Sequence, residues 1–191
     1  MSEHSPAPLP PLPAEVLPDG VRSRFADGVN GLRIHVLEAG HGDPARPCVL
    51  LLHGFPELAY SWRKVMPLLA DAGYHVLAPD VRGYGRTTGW DVHAESGRAA
   101  FGMLTSVIDA IGVLAWAGRR QAAVVGHDYG SSLAGWCAIA RPDIFPAVAM
   151  MSAPFGGAPR LRVGGESGAA AGGAGSSRAA ARADIHAELA A

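Results

Sequence analysis

Ala122-Ala123-Val124-Val125-Gly126-His127-Asp128-Tyr129-Gly130-Ser131-Ser132 is the stretch from which the rest of the chain is best read. Its apolar, valine-rich start reads as a short buried strand that stops at Gly126. Three residues follow, and Gly130 opens a helix-like segment beginning Ser131-Ser132-Leu133-Ala134-Gly135-Trp136. Strand, tight turn and helix in this spacing put Asp128 at the apex. The flanking glycines let strand and helix approach closely. The apex side chain then stands at a helix N-terminus, where unpaired N–H groups and the helix dipole favour an anion. A carboxylate there is either an aimed, ionised nucleophile or a simple helix cap, for which Asp is a favoured residue. The stretch by itself leaves both readings open.

Length and composition bound what surrounds it. A chain of 191 residues suits one domain with a sizeable core, and 49% apolar with 17% charged residues excludes a disordered chain. The net charge of −1 gives no electrostatic reason for a nucleic-acid or anionic-membrane partner, and no apolar run is long enough to span a membrane. Residues 1–20 lack the basic and apolar regions of a signal peptide; with Pro6, Pro8, Pro10, Pro11, Pro13 and Pro18 they read as an extended Pro-rich arm. Cys48 and Cys137 read as small core residues without a disulfide, which fits a reducing cytoplasm.

From Val21 the chain reads as alternating strands and helices. Val21–Phe25 and Leu32–Leu37 flank Asp27-Gly28-Val29-Asn30-Gly31, the pattern of a hairpin, with His35 on its polar phase and therefore expected at the surface. Cys48–Leu52 and His75–Pro79 are unbroken apolar runs, as in strands of a parallel sheet. Helices are expected over Tyr60–Ala72, Phe101–Ala117 and Ser131–Ala140, and a last strand over Ala147–Met151, with Met150 and Met151 buried in it. The loop from Asp80 to Trp90 is dense in glycine and charge, and Asp80 with Arg82 is expected to form a structural pair. This alternation predicts an α/β sheet with its functional loops at the carboxyl ends of the strands. Residues 21–159 carry the pattern; residues 160–191 are an Ala/Gly-rich, low-complexity tail.

His53-Gly54-Phe55-Pro56, Asp80 to Gly85, and Gly126-His127-Asp128-Tyr129-Gly130, in this order, resemble the α/β-hydrolase fold family, and aspartate at the elbow is similar to its epoxide hydrolase and haloalkane dehalogenase branch. Phe55 to Arg63 resembles epoxide hydrolases in particular. The resemblance implies a mostly parallel sheet with helices on both faces, expected to stop after the sixth strand. It implies Asp128 as nucleophile, with the backbone N–H groups of Phe55 and Tyr129 as an oxyanion hole. His53 would be a loop-shaping residue, with Gly54, Pro56, Gly126, His127 and Gly130 in support. Pro56 would fix the backbone as a cis proline or as an ordinary turn proline. His127 is expected buried and hydrogen-bonded, facing away from the apex. The implied reaction opens an epoxide to a diol through an Asp128 ester, on a small-molecule substrate, with no cofactor and no metal.

Neighbouring positions discriminate within that branch. Haloalkane dehalogenases tend to carry a Trp after the nucleophile and a polar residue after His-Gly, where this chain has Tyr129 and Phe55; fluoroacetate dehalogenases tend to carry Arg where Tyr129 stands. Family enzymes also carry a downstream acid, a water-activating His and cap tyrosines. Here the only His after Asp128 is His186, two residues from Asp184 in the low-complexity tail, and no Tyr follows Tyr129. The alternatives are therefore a dehalogenase-like hydrolase, or an inactive, truncated remnant or binding module whose ester would stall for want of an activated water.

Overall fold

A computed structural model describes residues 9–90 and 101–153. Two units partition the chain, Met1–Gly157 and Ala158–Ala191. The described residues all belong to the first unit; the tail from residue 160, with Asp184 and His186, lies outside them.

The hairpin forms as its turn chemistry requires. Strands β1 (Val21–Val29) and β2 (Leu32–Ala39) pair antiparallel. Asn30 and Gly31 between them both take positive φ, 49° and 78°, the conformation whose twist matches that of the flanking strands. Four more strands complete the sheet: β3 (Cys48–Leu52), β4 (His75–Pro79), β5 (Ala123–His127) and β6 (Ala147–Met151). The sheet order is β1-β2-β4-β3-β5-β6, antiparallel from β1 to β4 and parallel from β4 to β6. The carboxyl ends of β4, β3 and β5 thus lie side by side at one end of the sheet.

Helices α1 (Met66–Asp71), α2 (Met103–Trp116) and α3 (Tyr129–Ala140) complete the described structure. Alternate side chains of the buried strands feed two cores. Leu50, Leu52, Ile34 and Leu77 pack with Val107, Val113 and Leu114 of α2 and Leu133 of α3. Val49, Leu51, Leu37 and Val76 pack with Trp62 and Met66. Burying one such Leu or Val contributes about 1.5–3 kcal/mol, so two-sided burial makes the central strands the anchor of the site. Cys48 and Cys137 are buried free thiols in the first core, where burial pushes the pKa of each up to about 12.

Several expectations are corrected. The helix expected over 60–72 is a 3₁₀ helix, Ala59–Lys64, followed by the separate α1. Pro67 has no N–H to bond back to Arg63, which interrupts the helical ladder. Helix α3 begins two residues earlier than expected, directly at Tyr129. Met150 is only half-buried and Met151 exposed, because β6 is the last strand of the sheet among the described residues. His35 is not a surface residue: β2 is flanked by β1 and β4 and covered on both faces, so its polar phase is buried too. Its Nδ1 meets Asp80 Oδ2 at 2.8 Å and its Nε2 meets Ser23 Oγ at 2.8 Å. Asp80 and Arg82 are not partners. Arg82 makes a two-pronged contact with Asp109 at 2.8 and 2.7 Å.

Candidate active site

Strand β5 ends in the turn that the two glycines permit. A side chain at Gly126 would collide with the carbonyl of Gly130, and one at Gly130 with the carbonyls of Leu52 and His53. Only hydrogen atoms fit where strand, turn and helix meet. Asp128 takes φ 53°, ψ −120°, a region that side chains other than glycine rarely adopt. Its backbone is held from both sides: its N–H donates to Met151 O (3.0 Å), and its carbonyl accepts Ser131 N–H (2.9 Å). Though Asp128 occupies the N-cap position of α3, its carboxylate makes no capping hydrogen bond. Oδ1 instead accepts the N–H of Phe55 at 3.0 Å. A helix cap would turn its oxygen into the first turn of its own helix; this one reaches 73 residues back along the chain.

The partner loop comes after β3. His53 is buried, and its Nε2 accepts Val81 N–H (3.0 Å), which leaves Nδ1–H to donate to Gly54 O (3.0 Å). Burial holds its imidazole below its usual range, with the Gly54 carbonyl and Asp80 working the other way. The Phe55–Pro56 peptide is cis, and Glu57 N–H closes a turn onto Gly54 O at 2.9 Å. The Phe55 side chain is 69% exposed, while its N–H points at the carboxylate. Gly54 passes so close to Asp128 that a side chain there would overlap the Asp128 side chain and His127 O.

The electrostatics arise from these contacts. The Phe55 N–H, and then the Tyr129 N–H, hold the Asp128 carboxyl below the usual carboxylate range. His127 pairs with Glu57 through Nδ1 and Oε2 at 3.1 Å, linking elbow and loop. It is hydrogen-bonded as expected but only half-buried, because β5 ends there at the margin of the loop. Tyr84 stands edge-on to His53, ring centroids 5.2 Å apart, and its phenol is pushed up by burial and then by Tyr129 and Asp128. Among the described residues no group of three or more His, Cys, Asp or Glu is placed to hold a metal ion.

The family model described as alpha/beta hydrolase fold matches residues 47–166, more than half of the chain. This chain belongs to the α/β-hydrolase fold family. Among its relatives, epoxide hydrolase A of Mycobacterium tuberculosis is 45% identical over 131 residues, covering 65% of this chain and 37% of the relative. An epoxide hydrolase of Caballeronia sordidicola is 42% identical over 126 residues, covering 66% of this chain and 36% of the relative. In structure, the chain is similar to an epoxide hydrolase from an endophytic Streptomyces, with TM-score 0.65 and 45% identity over 75% of this chain and 40% of that one. The chain thus spans well under half the length of the relatives it matches.

The described residues bring together Asp128, Phe55, Tyr129, His53, Gly54, Pro56, Gly126, His127 and Gly130. Sequence reasoning missed two contributors. Glu57 pairs with His127, and the only signal for it was its place two residues beyond Phe55. Asp80 caps the end of the Phe55 loop by accepting the N–H of Ala59 (2.9 Å); its nearness in sequence to Arg82 pointed to the wrong partner. No helix among the described residues is long and apolar enough to cross a membrane.

Proposed function

We propose that this α/β hydrolase opens epoxides to diols through an ester on Asp128. The observation that carries the reading is Asp128 itself: a pre-ionised carboxylate on a strained apex, with Oδ1 already on the Phe55 N–H. That leaves Oδ2 as the attacking oxygen. Opening a strained C–O bond at saturated carbon needs such a nucleophile and no base to generate it. Oδ2 bonds to carbon, the ring C–O bond breaks, and the alkoxide takes a proton from an acid. A base then takes one proton from a water, which adds to the Asp128 carboxyl carbon. The negative charge develops on Oδ1, against the N–H groups of Phe55 and Tyr129. On collapse the Cγ–Oδ2 bond breaks, Oδ2 leaves in the diol with a proton, and the carboxylate and the acid are restored. His53 is not the base for that water, since both its nitrogens are committed.

The names of the similar proteins support this substrate class over halides, as do Tyr129 and Phe55 at the positions where a dehalogenase would grip halide. The two free thiols support a cytoplasmic enzyme. The test is a single-turnover trap with a reactive aryl epoxide, read by peptide mass spectrometry. An adduct on the Asp128 peptide, lost in Asp128→Asn, is expected. A folded chain that gives no adduct there overturns the assignment.

A further inference from the structure

The loop that carries the Phe55 N–H hangs from two consecutive residues at the carboxyl end of β4. At its start, His53 accepts the Val81 N–H. At its end, Ala59 N–H donates to Asp80 Oδ1 (2.9 Å). Ala59 opens the 3₁₀ helix Ala59–Lys64, whose own N-cap, Leu58, has no side chain able to accept. The acceptor comes from across the sheet instead.

Asp80 is itself held on every side. Its Oδ2 accepts from Arg86 N–H (2.9 Å) and from His35 Nδ1 (2.8 Å). Its backbone carbonyl accepts the Thr87 hydroxyl (2.6 Å), and Thr87 Oγ1 in turn accepts the His35 N–H (3.1 Å). Behind His35 stands Ser23, whose oxygen accepts the Leu12 N–H (2.8 Å). Gly85 passes so near that any side chain there would overlap the carboxylate. Asp80 is 1% exposed. A buried charge is costly unless fully hydrogen-bonded, and an apolar residue would fill such a place at less cost. What an apolar residue cannot do is tie three separate segments, Ala59, Arg86 and His35, to a single point.

From this geometry we infer that Asp80 is a positioning residue: its carboxylate sets the place of Ala59, and so aims the Phe55 N–H at Asp128 Oδ1. The inference deepens the proposed function, because that N–H is the one assigned to the oxyanion hole. Its test reads geometry and is independent of ester chemistry. Burial works to raise the Asp80 carboxyl, but His35 and the Arg86 and Ala59 N–H groups outweigh it, so the group stays ionised as the role requires.

The experiment compares the isotope-labelled full chain with Asp80→Asn, which sets an amide N–H₂ against His35 and Arg86. Two signals are followed by NMR: the Phe55 amide resonance and the titration of the Asp128 carboxyl. In folded Asp80→Asn the amide is expected to shift and the Asp128 midpoint to rise. Val113→Ala, a core change on α2, is expected to lower stability and move neither. If Asp80→Asn leaves both signals at their parent positions, or Val113→Ala moves them as far, the inference is overturned. Should Asp80→Asn fail to fold, Thr87→Val removes one support of Asp80 and is read in the same way: a smaller movement of both signals supports the inference, and none overturns it. A parent chain that forms no Asp128 ester overturns the epoxide reading alone. An intact ester with unmoved signals in the Asp80 variant overturns this one alone.

Discussion

Replacing Gly54 by alanine adds one methyl group where the loop after β3 passes the Asp128 side chain. The backbone of Gly54 lies outside the positive-φ region, so alanine is conformationally allowed and the effect is steric. The new Cβ would overlap Asp128 Cβ outright and sit 2.7 Å from His127 O and 2.8 Å from Asp128 Oδ1. Carbon contacts relax at about 3.5–4.0 Å, so loop or Asp128 side chain must retreat by roughly 1 Å or more. The Phe55 N–H to Asp128 hydrogen bond, 3.0 Å in the parent, is then stretched past the useful range of about 3.2 Å. Overpacking of this kind costs about 1–3 kcal/mol. Restricting the unfolded chain returns about 0.4–1 kcal/mol. The net loss is at most about 2.6 kcal/mol, or up to about 10 °C in Tm for a chain of this size. Without its principal N–H donor, Asp128 titrates higher, back toward the ordinary carboxylate range. A thermal melt and a carboxyl NMR titration of Gly54→Ala check both effects. A variant that melts with the parent and titrates unchanged would refute the close approach of loop and elbow.

Two further predictions concern stability. Burial works to raise the Glu38 carboxyl, but hydrogen bonds from His75, Arg22 and Arg24 outweigh it and hold it well below the usual range. Below about pH 4 the unfolded chain therefore binds a proton that the folded chain refuses, so this part of the stability is full above that range and is lost as pH falls. Urea unfolding measured from about pH 6 to about pH 3 should show that decline, and Glu38→Gln should flatten it; an equally steep decline in the variant counts against the cluster. Arg82 and Asp109 form a buried two-pronged pair, with Asn30 also donating to Asp109. Arg82→Ala should cost about 3–5 kcal/mol in urea denaturation by leaving Asp109 uncompensated, and Arg82→Ala with Asp109→Ala should cost less than the sum of the two. Strict additivity would show that the pair is not coupled.

Most of the sheet was legible in the sequence because strands such as Cys48–Leu52 and His75–Pro79 advertise two-sided burial in a few consecutive residues. The elbow was legible for a related reason. A tight turn needs glycines at set distances from its apex, and Gly126 and Gly130 state that requirement within five residues of chain. The interrupted helix after Ala59 was available too, since Pro67 withholds one N–H; the apolar periodicity around it outweighed that local signal.

The pairing of polar side chains was not legible. His35 alternates as a surface residue would, and only its position between β1 and β4 buries it. Asp80 and Arg82 are near neighbours of opposite charge, yet Asp80 binds His35, 45 residues away in the chain, and Arg82 binds Asp109 on α2. The same holds for Phe55 and Asp128, 73 residues apart. Local spacing determines which residues extend, coil or turn, because those choices depend on backbone sterics and nearby side chains. Which carboxylate meets which N–H depends on the order of strands in the sheet, and that order was decided only when the two cores packed.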